Sequence, residues 1–446
     1  MNTSPHFPVR HEPSVSPPVA TAPTALTARH WATEYLGAFR KITPESWWFL
    51  LGTMLVSFTW LSFMLLFNLY MKERGFPEGV MGRILSAQAF GTTAMALPAA
   101  LLVSRVSARL MLIVSSLGVA VAFAWVTQGD QTRIITMAAF VAGMMLAFSR
   151  VVSSPYLMKH TGLSERSHVF SLAFAASVGA GAVAHFGAGS LHRVLTAVSG
   201  SPLVAYRWVL WIGCGCAVLA AGVFTRLPRG VAGDRSPRVP WRDFWAAKGH
   251  LLFRLTFPYF LVGLGAGLII PFLNLYFRDR FGLSTQMIGV NYGLVQLSMI
   301  IGVMIGPELA RRFGMIRTVV LSELASLPFM VVLAFTNNLP LATLAFLMRG
   351  GLMNLGVPLQ TNYMMERVGS QDRALANSVS MVAWTLSWAL TAGAGGWMIE
   401  HWGFAPPLLI ASGLYVCASL AYWWFFRHQE LFAGQVIPDA VHSGDE

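Results

Sequence analysis

Tyr156-Leu-Met-Lys-His-Thr-Gly-Leu-Ser-Glu-Arg166 and Tyr363-Met-Met-Glu-Arg-Val-Gly-Ser-Gln-Asp-Arg373 align without a gap at a spacing of 207 residues, with four identities in eleven. Two more matches keep nearly the same register. Asn68-Leu69-Tyr70 lies over Asn274-Leu275-Tyr276 at 206, and Gln88 lies over Gln296 at 208. Any one match between apolar helices could be chance. Three in register, each in the corresponding segment, mark an internal duplication.

The duplicated unit is a set of membrane spans. Of 446 residues, 55% are hydrophobic and 11% charged, and the mean hydropathy is +0.58, which excludes an ordinary soluble protein and a disordered one. A helix needs about 20 residues to cross the hydrocarbon core. Twelve segments qualify: 46–70, 80–103, 110–127, 134–158, 168–190, 204–226, 251–277, 285–306, 316–335, 339–364, 373–398 and 406–427. The proline-bearing, charged stretch 227–250 divides them into six plus six. The expected domains are a bundle over 43–226, a cytoplasmic linker over 227–250 and a second bundle over 251–428. A disordered tail over 1–28, an interfacial amphipathic helix over 29–42 and a cytoplasmic tail over 429–446 complete the chain.

The net charge of +12 reads as loop bias in a membrane protein, not as a nucleic-acid footprint. With the N-terminus inside, 21 Lys and Arg fall in inner segments and 8 in outer ones. Both termini are therefore expected to be cytoplasmic, in the cytoplasmic membrane. Cys214, Cys216 and Cys417 read as small core residues, since three cysteines build no disulfide framework.

Two six-helix halves inserted with the same polarity are related by an axis along the membrane normal and can rock about one shared site. The loop Ala100-Leu-Leu-Val-Ser-Arg-Val-Ser-Ala-Arg109 and its counterpart Pro307-Glu-Leu-Ala-Arg-Arg-Phe-Gly314 keep Leu102, Arg105, Arg109, Leu309, Ala310, Arg312 and Gly314 of a Gly-x-Leu-Ala-Asp-Arg-x-Gly-Arg pattern. With the repeat, the span count and the long central loop, residues 44 to 428 resemble the major facilitator superfamily. That resemblance implies an all-α fold of two parallel, pseudo-twofold six-helix bundles and a secondary transporter, not an enzyme. Ser104 and Arg311 stand where the pattern has Asp.

Two arginines lie inside spans, Arg150 in the fourth and Arg349 in the tenth. A charge there is costly and marks a functional candidate. Arg150, with Ser149, Ser153 and Ser154 nearby, either meets the solute or satisfies neighbouring carbonyls and snorkels. For Arg349 outward snorkelling competes with a binding role beside Asn354, Gln360 and Asn362. If both face the cavity, guanidinium groups suit a carboxylate or phosphate. The expected solute site is Arg150, Arg349, Asn68, Gln88, Gln296, Asn354 and Trp384. The expected coupling or gating set is His185, Arg105, Arg109, Arg312 and Glu366. Glu323 is read as a structural ion pair with Arg312 or Arg317, and His185 as a helix-contact hydrogen bonder or a coupling group. The glycines of the fifth and eleventh spans mark close helix contacts.

The function expected is secondary transport of a small solute, anionic or polar organic, by alternating access. The alternative is a proton-coupled exporter of drugs or other hydrophobic compounds. No cofactor or metal site is expected, because neither a phosphate-binding loop nor metal-ligand spacing occurs. An ion gradient is one source of drive, its ion not readable. The expected partners are the lipid bilayer and a small-molecule solute, with a single chain sufficient.

Overall fold

The computed structural model describes residues 43–103, 105–160, 166–230, 241–368 and 373–429. The expected tails, the interfacial helix and the middle of the linker lie outside them. All regular structure among the described residues is helical.

The first half holds α1 (Pro44–Glu73), α2 (Glu78–Leu102), α3 (Ala108–Gln128), α4 (Thr132–His160), α5 (Arg166–Ser199) and α6 (Pro202–Phe224). The second holds α7 (Trp241–Ile269), a 3-10 turn (Ile270–Phe272), α8 (Leu273–Phe281), α9 (Thr285–Phe313), α10 (Met315–Phe335), α11 (Leu339–Val368), α12 (Arg373–Trp402) and α13 (Ala405–Phe426). Each expected span is present. Ten are long and apolar enough to cross a membrane among the described residues, counting α7 through α8 as one. The other two, α5 and α12, are 34 and 30 residues long.

Starts follow capping chemistry. The Thr43 hydroxyl accepts from the Ser46 N–H at 3.3 Å, with Pro44 in the first turn, and Ser107, Ser201 and Ser284 cap α3, α6 and α9 in the same way. Two departures from expectation stand out. The seventh span starts at Trp241 instead of 251, taking in residues assigned to the linker. It also breaks at Ile269–Phe272, because Pro271 has no N–H for the helical ladder.

The solvent of the outer surface is read from what it exposes. Along α3, Leu110, Val114, Leu117, Val121 and Trp125 are all exposed and share one helix face. A continuous apolar stripe of that length faces lipid.

Packing inside the halves is the same twice. In the first, α1 packs on α5 and α6, α2 on α4, and α3 on α4 and α6. In the second, α7 packs on α12 and α13, α9 on α11, and α10 on α11 and α13. The halves meet along two seams, α2 against α12 and α5 against α9, which a twofold exchanges. Small residues make both seams possible. A Cβ on Gly82 would fall 2.5 Å from the Ala392 carbonyl oxygen and 3.2 Å from Gly396 Cα. One on Gly289 would fall 2.5 Å from the His185 oxygen and 3.1 Å from Gly189 Cα. Gly82 and Gly289, like Gly189 and Gly396, are 207 residues apart.

Candidate functional site

Between the halves lies a cavity of about 360 Å³. The first half contributes Trp60, Gln88, Thr92, Arg150 and His185; the second contributes Pro271, Tyr292, Gln296, Phe346, Arg349, Asn354, Trp384, Thr385 and Trp388. Its walls are aromatic and aliphatic, with Leu61, Met64, Leu85 and Met299 beside the rings, and no Asp or Glu is among its lining residues.

Arg150 is exposed although it sits well inside α4, so it looks into the hollow. Its guanidinium lies 5.5 Å from the Trp60 ring centroid. Among the described residues it has neither a hydrogen-bond acceptor nor an ion pair. The expected polar face around it does not form: Ser149 Oγ donates to the Leu146 oxygen at 3.0 Å and Ser153 Oγ to the Ser149 oxygen at 2.6 Å, both within the helix. The Ser154 side chain lies outside the described set.

Arg349 reaches the same cavity from α11 but is supported differently. It is 6% exposed and does not snorkel. Nη2 donates to Tyr415 Oη on α13 at 3.0 Å, while the buried Nε has no partner. Other buried donors around the cavity also lack acceptors, namely Gln88 Nε2 and Trp388 Nε1. Such groups are costly unless a ligand or water satisfies them. Gln296 lines the cavity opposite Gln88, its amide packed against Gly181. Asn354 lines it too, with Nδ2 bonded to the Gly350 oxygen of its own helix at 2.9 Å. Trp384 packs at a tilt against Tyr259 and Trp388, at centroid distances of 4.9 and 6.0 Å. His185 packs edge-on against Tyr292 at 5.4 Å, its Nδ1 without a partner.

Asn68 is not a lining residue. It is 1% exposed, and Nδ2 donates to the Pro271 carbonyl at 2.6 Å, an oxygen made available at the break in the seventh span. Its repeat mate reciprocates: Asn274 Nδ2 donates to the Leu65 carbonyl at 2.8 Å. Arg278 pairs with Glu73 at 2.7 Å and Lys72 lies 3.8 Å from Asp279. Lys72 also pairs with Glu78. The end of the bundle bearing the α1–α2 loop is thus clasped across the halves. Further bonds crossing between the halves include Tyr206 to Thr285, Arg193 to Gln286 at 2.9 Å, the Gly79 N–H to Glu400 at 2.9 Å and Thr93 to Thr385 at 2.8 Å.

The expected gate residues do not come together. Arg105 is exposed in the α2–α3 loop, and Glu366 is exposed near the end of α11; among the described residues neither has an ion pair. Arg109 Nη1 donates to the Leu227 carbonyl at 3.4 Å, within the first half. Arg312 Nε pairs with Glu308 at 2.9 Å on its own helix. Glu323 also departs from expectation. It accepts from Gln360 Nε2 at 2.9 Å and Ser419 Oγ at 2.6 Å, not from Arg312. Tyr415, which orients Arg349, was not singled out in the sequence. No local pattern marks it, because the two are 66 residues apart.

Known proteins share this architecture. The family model described as Major Facilitator Superfamily matches residues 49–390 and 255–436. A zebrafish (Danio rerio) protein, major facilitator superfamily domain-containing protein 6-like, is 35% identical over 88 residues. That match spans 20% of this chain and only 16% of the zebrafish protein. Among solved structures, a bacterial homologue of the human lysosomal transporter Spinster superposes with a TM-score of 0.71 at 13% identity, covering 86% of this chain and 98% of that one. The nucleoside transporter NupG gives 0.67 at 14%, covering 86% and 100%. The human organic anion transporter MFSD10 gives 0.59 at 16%, covering 85% and 100%. With its duplicated six-helix halves closed around one central cavity, the chain belongs to the Major Facilitator Superfamily and is an integral membrane transporter, not an enzyme.

Proposed function

We propose that the protein moves a small organic anion across the membrane by alternating access, the anionic group bound through Arg150 and Arg349 and its body lying against the aromatic walls. The observation that carries this is Arg150, a charged side chain exposed to a cavity with no acid in its lining and no acceptor of its own among the described residues. Charge-assisted bonds to a carboxylate or phosphate would supply what both guanidinium groups lack. MFSD10, by its printed name an organic anion transporter, shares the fold and lends the reading support. In this reading the two Gly seams are where the halves rock, the Asn68–Asn274 clasp shuts one mouth, and both termini are cytoplasmic.

The test is thermal stabilisation of the purified chain by benzoate, by phenyl phosphate and by the uncharged isostere benzamide. At least one anion is expected to raise the melting temperature, benzamide to leave it unchanged, and Arg150→Gln to remove the anion's effect. Equal stabilisation by benzamide would favour the hydrophobic-compound exporter instead, and unchanged anion affinity in Arg150→Gln would remove the site assignment.

A further inference from the structure

Apart from the cavity, the second half contains a buried carboxyl that anion binding does not use. Glu323, 5% exposed, lies where α10 meets α11 and α13. Gln360 on α11 and Ser419 on α13 each donate to one of its oxygens. Both donors are neutral. Among the described residues no Lys, Arg or His forms an ion pair with it. An ionised carboxylate buried with neutral partners alone is costly, as an unpaired ion is, whereas a neutral carboxylic acid avoids most of that cost.

The position joins two compartments. Ser419 follows Tyr415 by one turn of α13, and Tyr415 Oη accepts from Arg349 in the central cavity. On the other side, Gln360 lines a second cavity of about 150 Å³ with Tyr259, Asn377, Ser380 and Tyr422. From the packed elements the titratable groups bearing on this region are Tyr415 and Tyr422 on α13 and Tyr259 on α7, with Arg349 on α11 joined to it through its bond to Tyr415. On α9, Arg311 and Arg312 are paired with Glu308 at its exposed end, and Arg317 on α10 itself is exposed.

We propose that Glu323 is an exchangeable proton site, filled from the Gln360 cavity, whose occupancy is coupled through Tyr415 to the charge at Arg349 and so to the anion held there. With the proton on, the carboxyl is neutral and the Arg349 charge is available to the solute. With the proton returned to water, the carboxylate competes for that charge. Proton and anion then bind favourably together, which is the linkage a symporter needs. The last link rests on the anion reading above; the proton site itself does not.

The experiment is infrared difference spectroscopy on the full chain in lipid nanodiscs, titrated from about pH 5 to about pH 9 across the range where a perturbed carboxyl ionises. The wild type is expected to lose a protonated-carboxyl C=O band as the pH rises. Glu323→Gln should lack that band, and Glu323→Asp should keep one at a displaced frequency, which also reports that the site still folds. Gln360→Leu removes one hydrogen bond and should shift the band while leaving the carboxyl in place. Arg349→Gln removes a nearby positive charge, so proton affinity should rise about tenfold, one pH unit in the midpoint. A titrating band that survives Glu323→Gln, a wild-type band constant over the whole range, or an unmoved midpoint in Arg349→Gln each overturns the proposal. The readout needs no solute, so failure of benzoate and phenyl phosphate to bind would remove the anion reading alone.

Discussion

The clasped mouth and the central cavity lie in one molecule, yet only the first obeys the repeat. At the mouth, contacts come in exchanged pairs: Asn68 to the Pro271 oxygen and Asn274 to the Leu65 oxygen, Arg278 to Glu73 and Lys72 toward Asp279. Tyr70 donates to the Thr127 carbonyl at 2.5 Å and Tyr276 to the Leu333 carbonyl at 2.8 Å. All obey an offset of 206 residues. In the cavity only Gln88 and Gln296, 208 residues apart, carry the same side chain at related positions. The counterpart of Arg150 is Val357, and that of Arg349 is Ala142. A duplicated scaffold supplies two equivalent seams and a reciprocal closure. The residues proposed to recognise the solute lie where one copy departed from the other.

The largest expected effect comes from breaking the symmetric seams. Leucine at Gly82 or Gly289 drives side-chain atoms into a backbone carbonyl that even a Cβ would meet at 2.5 Å. Overpacking of this kind costs about 1–3 kcal/mol, and it falls on the surfaces along which the halves are proposed to rock. Each variant should abolish anion exchange in proteoliposomes and lower the melting temperature to a similar extent. A strong effect from one and none from the other would show that the seams are equivalent in geometry only.

Next in size is the comparison of the two arginines. Arg150→Gln and Arg349→Gln should each weaken anion binding about 10- to 100-fold, or roughly 1.4–2.8 kcal/mol. Only Arg349→Gln should also lower the melting temperature of the solute-free protein, since it alone deprives a buried hydroxyl of its partner, at about 1–3 kcal/mol. Equal destabilisation by both would mean that Arg150 is built into the packing and is not held free for the solute.

The sequence carries the scaffold because lipid enforces it: a run of about 20 apolar residues has few alternatives to a spanning helix. Expected spans such as 285–306 and 316–335 therefore fall within the helices observed, Thr285–Phe313 and Met315–Phe335. The start at Trp241 was hidden by polar residues that a helix tolerates outside the apolar run. Arg150 and Arg349 stood out by the cost of burying charge, which is a local property. What their neighbours would be was not local. Glu323 finds its partners 37 and 96 residues away, so the nearer arginines suggested an ion pair that does not form. Asn68 reads as a solute ligand in the sequence because it is an amide on an expected cavity helix. Its partner is a carbonyl beside a helix break in the other half, visible only once the halves are docked.

The smallest expected effect sharpens the reciprocal clasp itself. In a background with Cys214, Cys216 and Cys417 replaced by serine, Met64→Cys places a thiol on the cavity wall, where a membrane-impermeant maleimide added on the α1–α2 side reaches it only if the mouth opens. Asn68→Ala removes one bond across the halves, worth about 1 kcal/mol, and should speed labelling about fivefold. Asn274→Ala removes the reciprocal bond and also the acceptor of the Leu275 N–H at 2.8 Å, whereas Asn68 Oδ1 has no partner to lose. Asn274→Ala should therefore open the mouth further than Asn68→Ala. Equal labelling rates would show that the extra local bond only positions the Asn274 amide and carries none of the closure.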